Sequence, residues 1–120
     1  MKTGPGRIFF LAALMLGCIG TAHAGGFGSG KVEIEHVGFG PGLVFFYTTV
    51  HTGGPSCNDY RGRWVLNLNT PEGKGQYAFL LAAEAMGKEV RVWGTGTCDV
   101  YSNTESVAAV GSVVDYSQHP

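Results

Sequence analysis

From Lys31 to Val37 the side chains alternate. Val32, Ile34 and His36 fall on one face and Lys31, Glu33 and Glu35 on the other, the two-residue period of a half-buried strand. His36 on the apolar face reads as a hydrogen-bonded core histidine. Gly38–Gly42 is a turn in which Pro41 removes a ladder donor. Leu43–Val50 (LVFFYTTV) is continuous in β-branched and aromatic residues, so it predicts a strand buried for much of its length. After the polar loop His51–Asn58, alternation resumes over Arg61–Leu68. Trp64, Leu66 and Leu68 point inward there, and Arg61, Arg63, Val65 and Asn67 outward.

The pattern then changes to that of a helix. Thr70 caps, Pro71 suits the first helical position, and Glu72 lies where the helix dipole favours an acid. Tyr77–Met86 has high helix propensity, and Gly87 is a C′ stop. Gly73 and Gly75 weaken the first turns, which predicts a helix regular only from about Gln76. Tyr77, Leu81 and Ala85 form one i, i+4 row, and Leu81 is expected to pack on the sheet. Lys88–Thr95 reads as a fourth strand with Val90 and Val92 on one face and Glu89, Arg91 and Trp93 on the other. Gly94–Asn103 is a glycine-rich turn, Glu105–Val110 a short fifth strand, and Val113–Pro120 a loosely attached tail.

The order β-β-β-α-β-β, with one helix between the third and fourth strands, predicts a mainly β chain. Its expected architecture is a five-stranded, partly open small barrel of the OB-fold kind.

Composition sharpens this picture. The 120 residues contain 20 Gly and only 14% charged side chains, with a net charge of −1. This disfavours a disordered polyelectrolyte, a coiled coil and a basic nucleic-acid binder. Residues 1–24 read as a signal peptide: Lys2 and Arg7, an apolar run from Ile8 to Ile19, and Ala22-His23-Ala24 as the cleavage site. The run is too short for a spanning helix. A minority alternative is lipid anchoring through Cys18. Residues 25–30 (GGFGSG) are then expected to be a flexible leader, 31–112 the folded domain and 113–120 the tail. The mature chain carries six basic against nine acidic side chains, a net −3, without attraction for nucleic acid or anionic lipid. The expected location is periplasmic or extracellular, with no transmembrane segment after cleavage.

Cys57 and Cys98 are the two cysteines left, and in an oxidising compartment they most simply form a disulfide. The competing reading, a metal site or catalytic thiol, lacks a nearby histidine or third cysteine. Gly25-x-x-x-x-Gly30-Lys31 imitates a phosphate loop, but Val32 stands where Ser or Thr is needed. His36, His51 and His119 are dispersed over strand, loop and tail. No nucleophile, base or metal set is visible, so the expectation is a protein that is not an enzyme and needs no cofactor.

Trp93 is the most informative position. On the outer face of its strand, it marks burial under a loop, a subunit interface or a ligand platform. Tyr60, Arg61, Tyr101 and Asn103 fall at loop or strand ends near the cysteines. Together they offer the aromatic faces and polar groups that sugar recognition needs, since a pyranose stacks its C–H face and hydrogen-bonds its rim.

The block running from Cys57 through Trp64 and Gln76-Tyr77-Ala78-Phe79 to Gly87-Lys88-Glu89-Val90-Arg91-Val92 resembles the binding (B) subunits of AB-type bacterial toxins of the subtilase cytotoxin kind. The segment Trp64–Thr97, with Gly73-Lys74 and Gly94-Thr-Gly-Thr-Cys98, also looks like a group of small exported bacterial proteins of unassigned role. The toxin resemblance implies a small exported OB-fold that assembles as a homo-oligomeric ring, a pentamer, and binds cell-surface glycans. Its matching residues are packing positions of helix and strand rather than sugar ligands. The functional expectation is therefore an exported binding module for a glycan or protein. The alternative is an accessory envelope protein that docks a protein partner through its outer sheet face.

Overall fold

The computed structural model describes residues 25–119. The expected signal peptide, its cleavage site and the Cys18 alternative lie outside these residues. Five strands, β1 (Phe27–Phe39), β2 (Leu43–Thr52), β3 (Arg63–Asn67), β4 (Val90–Gly94) and β5 (Glu105–Ser112), close into a barrel in the order β1-β2-β3-β5-β4. The helix α1 (Pro71–Met86) joins β3 to β4, and a 3-10 turn at Tyr116–Gln118 follows β5. All neighbours are antiparallel except β3 and β5, which pair in parallel through Trp64↔Glu105 and Val65↔Ser106. The molecule is thus the expected mainly β, five-stranded OB-like small barrel. Among the described residues no helix is long and apolar enough to cross a membrane.

The alternation in the sequence becomes an inside and an outside. Val44 and Phe46 of β2, Trp64 and Leu66 of β3, and Val90 and Val92 of β4 fill the barrel, and Leu80 and Ala83 of α1 plug it. Burying side chains of this size stabilises the fold by about 1.5–3 kcal/mol each. The outward residues of β2 and β3 are buried too. Leu43, Phe45 and Val65 form a second cluster, covered by Val100 and Tyr101 of the β4–β5 loop. Val65 faces outward as its period requires, but a loop hides it from water.

Four expectations are corrected. The glycine-rich stretch is no flexible leader beyond Gly26: β1 begins at Phe27, pairing Phe27–Gly30 with β4 and Phe27–Ser29 with β2. Gly28 rests against the indole of Trp64, where an added Cβ would come within 2.9 Å of the ring. Glycine there admits the close approach that shuts the barrel. His36 is no core residue. Its side chain is 57% exposed with Nδ1 3.6 Å from a Glu35 carboxylate oxygen, because the β1–β2 register shifts between Ile34 and His36 and a bulge breaks the alternation.

The helix is regular from Pro71, not from Gln76, since Thr70 caps it by accepting a hydrogen bond from the Gly73 N–H. Gly87 ends it in the left-handed conformation, φ 62°. Leu81, expected in the core, is 43% exposed, whereas Leu80 is fully buried. The helix meets the barrel along Gly73, Leu80 and Ala83, one row away from the Leu81 row.

Candidate functional site

The disulfide forms. Cys57 and Cys98 are bonded across 41 residues with their Cα atoms 6.2 Å apart. It ties the β2–β3 loop to the β4–β5 loop, and the other five candidate residues divide around it.

Tyr60, Tyr101 and Asn103 converge on Arg63. The guanidinium carbon of Arg63 lies 4.1 Å from the Tyr60 ring centroid, 4.3 Å from Phe45 and 5.9 Å from Tyr101. Its Nη2 donates to Asn103 Oδ1 at 3.0 Å and to Thr104 Oγ1 at 2.9 Å, and its Nη1 to Glu35 at 3.4 Å. The arginine is buried, and its charge is stabilised by aromatic faces and a carboxylate. Asn103 and the Tyr60 ring are therefore engaged in holding Arg63. Arg61 is exposed and turns the chain with φ 38°. The two-residue period puts Arg63 on the outer face, and no local pattern marks it for burial beneath Tyr60, Phe45 and Tyr101.

Trp93 stands on another face, as its strand period requires. It is 42% exposed and meets Phe27 across the β1–β4 pair, edge to face with centroids 5.8 Å apart. With Val50 and Val113 the two rings border a shallow groove of about 480 Å³ that also holds Ser29, Thr49, Glu89 and Arg91.

A second cleft, also about 480 Å³, lies between the β1–β2 turn and the β4–β5 loop. Phe39 and Tyr101 supply aromatic edges, and Asn67, Asn69 and Asp99 supply polar groups. Tyr101 packs edge to face on Phe45 and Phe39, with centroids 5.0 and 5.9 Å apart. Asn69 donates from its side-chain amide to the Pro41 carbonyl. Its backbone N–H donates to Asn67 Oδ1 at 2.9 Å, so turn and strand end are fastened together. Asp99 Oδ1 accepts from the hydroxyls of Ser106 (2.6 Å) and Thr97 (3.0 Å). These bonds hold its carboxyl below the ordinary aspartate value, so it stays charged throughout the neutral range. In barrels of this topology these two loops flank the oligonucleotide- or oligosaccharide-binding face. Of the expected residues, Tyr101 alone lines this cleft. Phe39 and Asp99 fall in turns and Asn67 and Asn69 at the end of β3, and only folding brings them together around one cleft.

His51 and Glu105 form a pair that dispersed sequence positions concealed. Both are buried, with His51 Nε2 3.6 Å from Glu105 Oε1. The imidazole stacks on Trp64, centroids 3.9 Å apart and planes 17° from parallel. Among the described residues no group of three or more His, Cys, Asp or Glu could hold a metal ion.

Comparison of the chain with family models, with curated proteins and with solved structures gives no match.

Proposed function

We propose that the protein is an exported, non-catalytic binding module that takes a saccharide in the cleft between the β1–β2 turn and the β4–β5 loop. The observation that carries this reading is the composition of that cleft: the aromatic edges of Phe39 and Tyr101 beside the planar polar groups of Asn67, Asn69 and Asp99. Aromatic surface receives the C–H face of a sugar ring, and amides and carboxylates bond adjacent hydroxyls. The two loops are pre-organised by the disulfide and by the bonds of Asn69 and Asp99, which lowers the ordering cost of binding. A disulfide of this kind suits the oxidising compartment to which a signal peptide would deliver the chain.

A glycan array probed with the mature domain tests the reading, followed by titration of any hit. Phe39→Ala and Asn69→Ala should each weaken binding about tenfold, a loss of ~1.4 kcal/mol, while Trp93→Ala leaves it unchanged. An array without specific hits, or hits indifferent to both cleft variants, would refute it.

A second reading is favoured by Phe27, Val50, Trp93 and Val113, exposed side by side along one groove. Such a face would serve an envelope protein in docking a protein partner, or the subunits of a toxin-like ring in meeting one another. A pentameric mass in solution that Trp93→Ala reduces to a monomer would support the ring. A monomeric wild type would discard it.

A further inference from the structure

Glu105 is fully buried, and its two oxygens are treated very differently. Oε2 accepts the backbone N–H groups of Gly26 (2.8 Å) and Gly96 (2.9 Å). Oε1 has no hydrogen-bond partner among the described residues. The nearest side chain donates nothing to it. His51 Nε2 stands 3.6 Å away, but the ring hydrogen is on Nδ1, which lies 2.7 Å from the Gly62 carbonyl. Nε2 itself accepts from Asn58 Nδ2 at 3.4 Å, and Asn58 Oδ1 accepts the Glu105 N–H at 3.2 Å. Glycines form the rest of the wall. A Cβ at Gly26 or Gly54 would come within 2.5 or 2.8 Å of Oε1, and one at Gly94 would collide with the carboxylate. Among the described residues no lysine or arginine pairs with Glu105. A buried carboxylate with one bare oxygen and no cation is a costly arrangement.

The start of β1 lies against this carboxylate. Gly26 is held on both sides, its N–H by Glu105 and its carbonyl by the Gly94 N–H at 2.8 Å. Gly25 precedes it at the surface. A Cβ there would collide with the Gly94 carbonyl, so its backbone runs beside the end of β4. Gly25 is also the residue that follows the Ala22-His23-Ala24 cleavage site. In the full chain its nitrogen is an amide. Hydrolysis of the Ala24–Gly25 bond adds water across it, leaving a carboxylate on Ala24 and an ammonium on Gly25.

We infer that Glu105 is the binding site for the mature chain's own N-terminal ammonium, an ion pair that removal of the leader creates. The inference rests on the reading of the chain as exported and cut after Ala24. Having no Cβ, Gly25 turns its amine to the side that the Gly26 N–H faces. Two successive nitrogens then address the two oxygens of one carboxylate, as in other anion-binding turns of backbone. A further residue at the start would carry the charge about 3.3–3.6 Å along the chain and away from Oε1. The pair ties the start of β1 to β5 across the seam where β1 meets β4.

The intact mass of the exported protein shows where it begins. A start elsewhere than at Gly25 would overturn the processing reading and the inference with it. With a start at Gly25, acylation of the folded protein at neutral pH tests the ion pair alone. The N-terminal amine should react at least about tenfold more slowly than in urea, with the exposed Lys31, Lys74 and Lys88 as the standard. An N-terminus equally reactive folded and unfolded would overturn the inference and leave the processing reading standing. Unfolding gives a second measure. A chain that retains Ala24 should have an unfolding constant at least about tenfold larger than one starting at Gly25. Glu105→Gln should abolish that difference, because its amide gives the ammonium no charge to meet. Equal constants for the two starts, or a difference that survives Glu105→Gln, would overturn the inference. Should Glu105→Gln fail to fold, the acylation rates decide without it.

Discussion

Leu80 and Leu81 are adjacent, equally apolar and equally good helix formers, yet one fills the barrel mouth and the other faces water. On a helix, neighbouring positions differ by about 100°, so the rotation of α1 about its axis decides which of the two faces the barrel. The i, i+4 row through Tyr77 and Leu81 is real as a pattern, but Gly73 decides the contact. A Cβ there would collide with the Asn67 carbonyl, so the glycine face lies against the end of β3 and Leu80, two turns on, follows it inward. Leu80→Ala should cost about 2–5 kcal/mol. Leu81→Ala should cost less than about 1 kcal/mol. Urea unfolding of the two variants measures the difference. Equal losses would place the helix in a different rotation.

At the scale of elements, caps and turns were legible because their chemistry is local. Thr70, Pro71 and Gly87 mark the two ends of α1 in the sequence, and the helix begins and ends at them. Gly75 is a weak point with no compensating contact: an added Cβ would meet nothing within 4 Å, and the backbone is not in the left-handed region. Gly75→Ala should therefore raise stability by about 0.5–1 kcal/mol, seen as a higher denaturation midpoint with an unchanged m-value. Gly73→Ala should lower it. The start of β1 was illegible for the opposite reason. Phe27–Gly30 has too few side chains to show a period, and its place in the barrel is set by pairing partners more than 20 residues away.

For the molecule as a whole, one covalent bond and one parallel strand pair organise the loops. The Cys57–Cys98 bond spans 41 residues that include β3, α1 and β4, so reducing it frees a long loop in the unfolded chain. In the chain-entropy picture closing such a loop is worth roughly 4 kcal/mol. Cys57→Ser with Cys98→Ser should thus lower stability by about 2–4 kcal/mol, with reductant producing the same loss in wild type and none in the variant. A wild type insensitive to reductant would show that folding does not depend on the bond. The same bond holds the wall of the proposed saccharide cleft, so its loss should weaken any ligand bound there as well.

The order of elements, the helix with both its ends, the inward faces of β3 and β4 and the partnership of the two cysteines were all determined by sequence. Each rests on period, cap or composition within a few residues, or on there being a single candidate pair. Tertiary structure alone decided the burial of Arg63 beneath Tyr60, Phe45 and Tyr101, the meeting of His51 with Glu105, and the cleft that joins Phe39 to Asp99. These depend on barrel closure, which sets side by side residues as far as 60 positions apart, and no local pattern encodes which of them will touch.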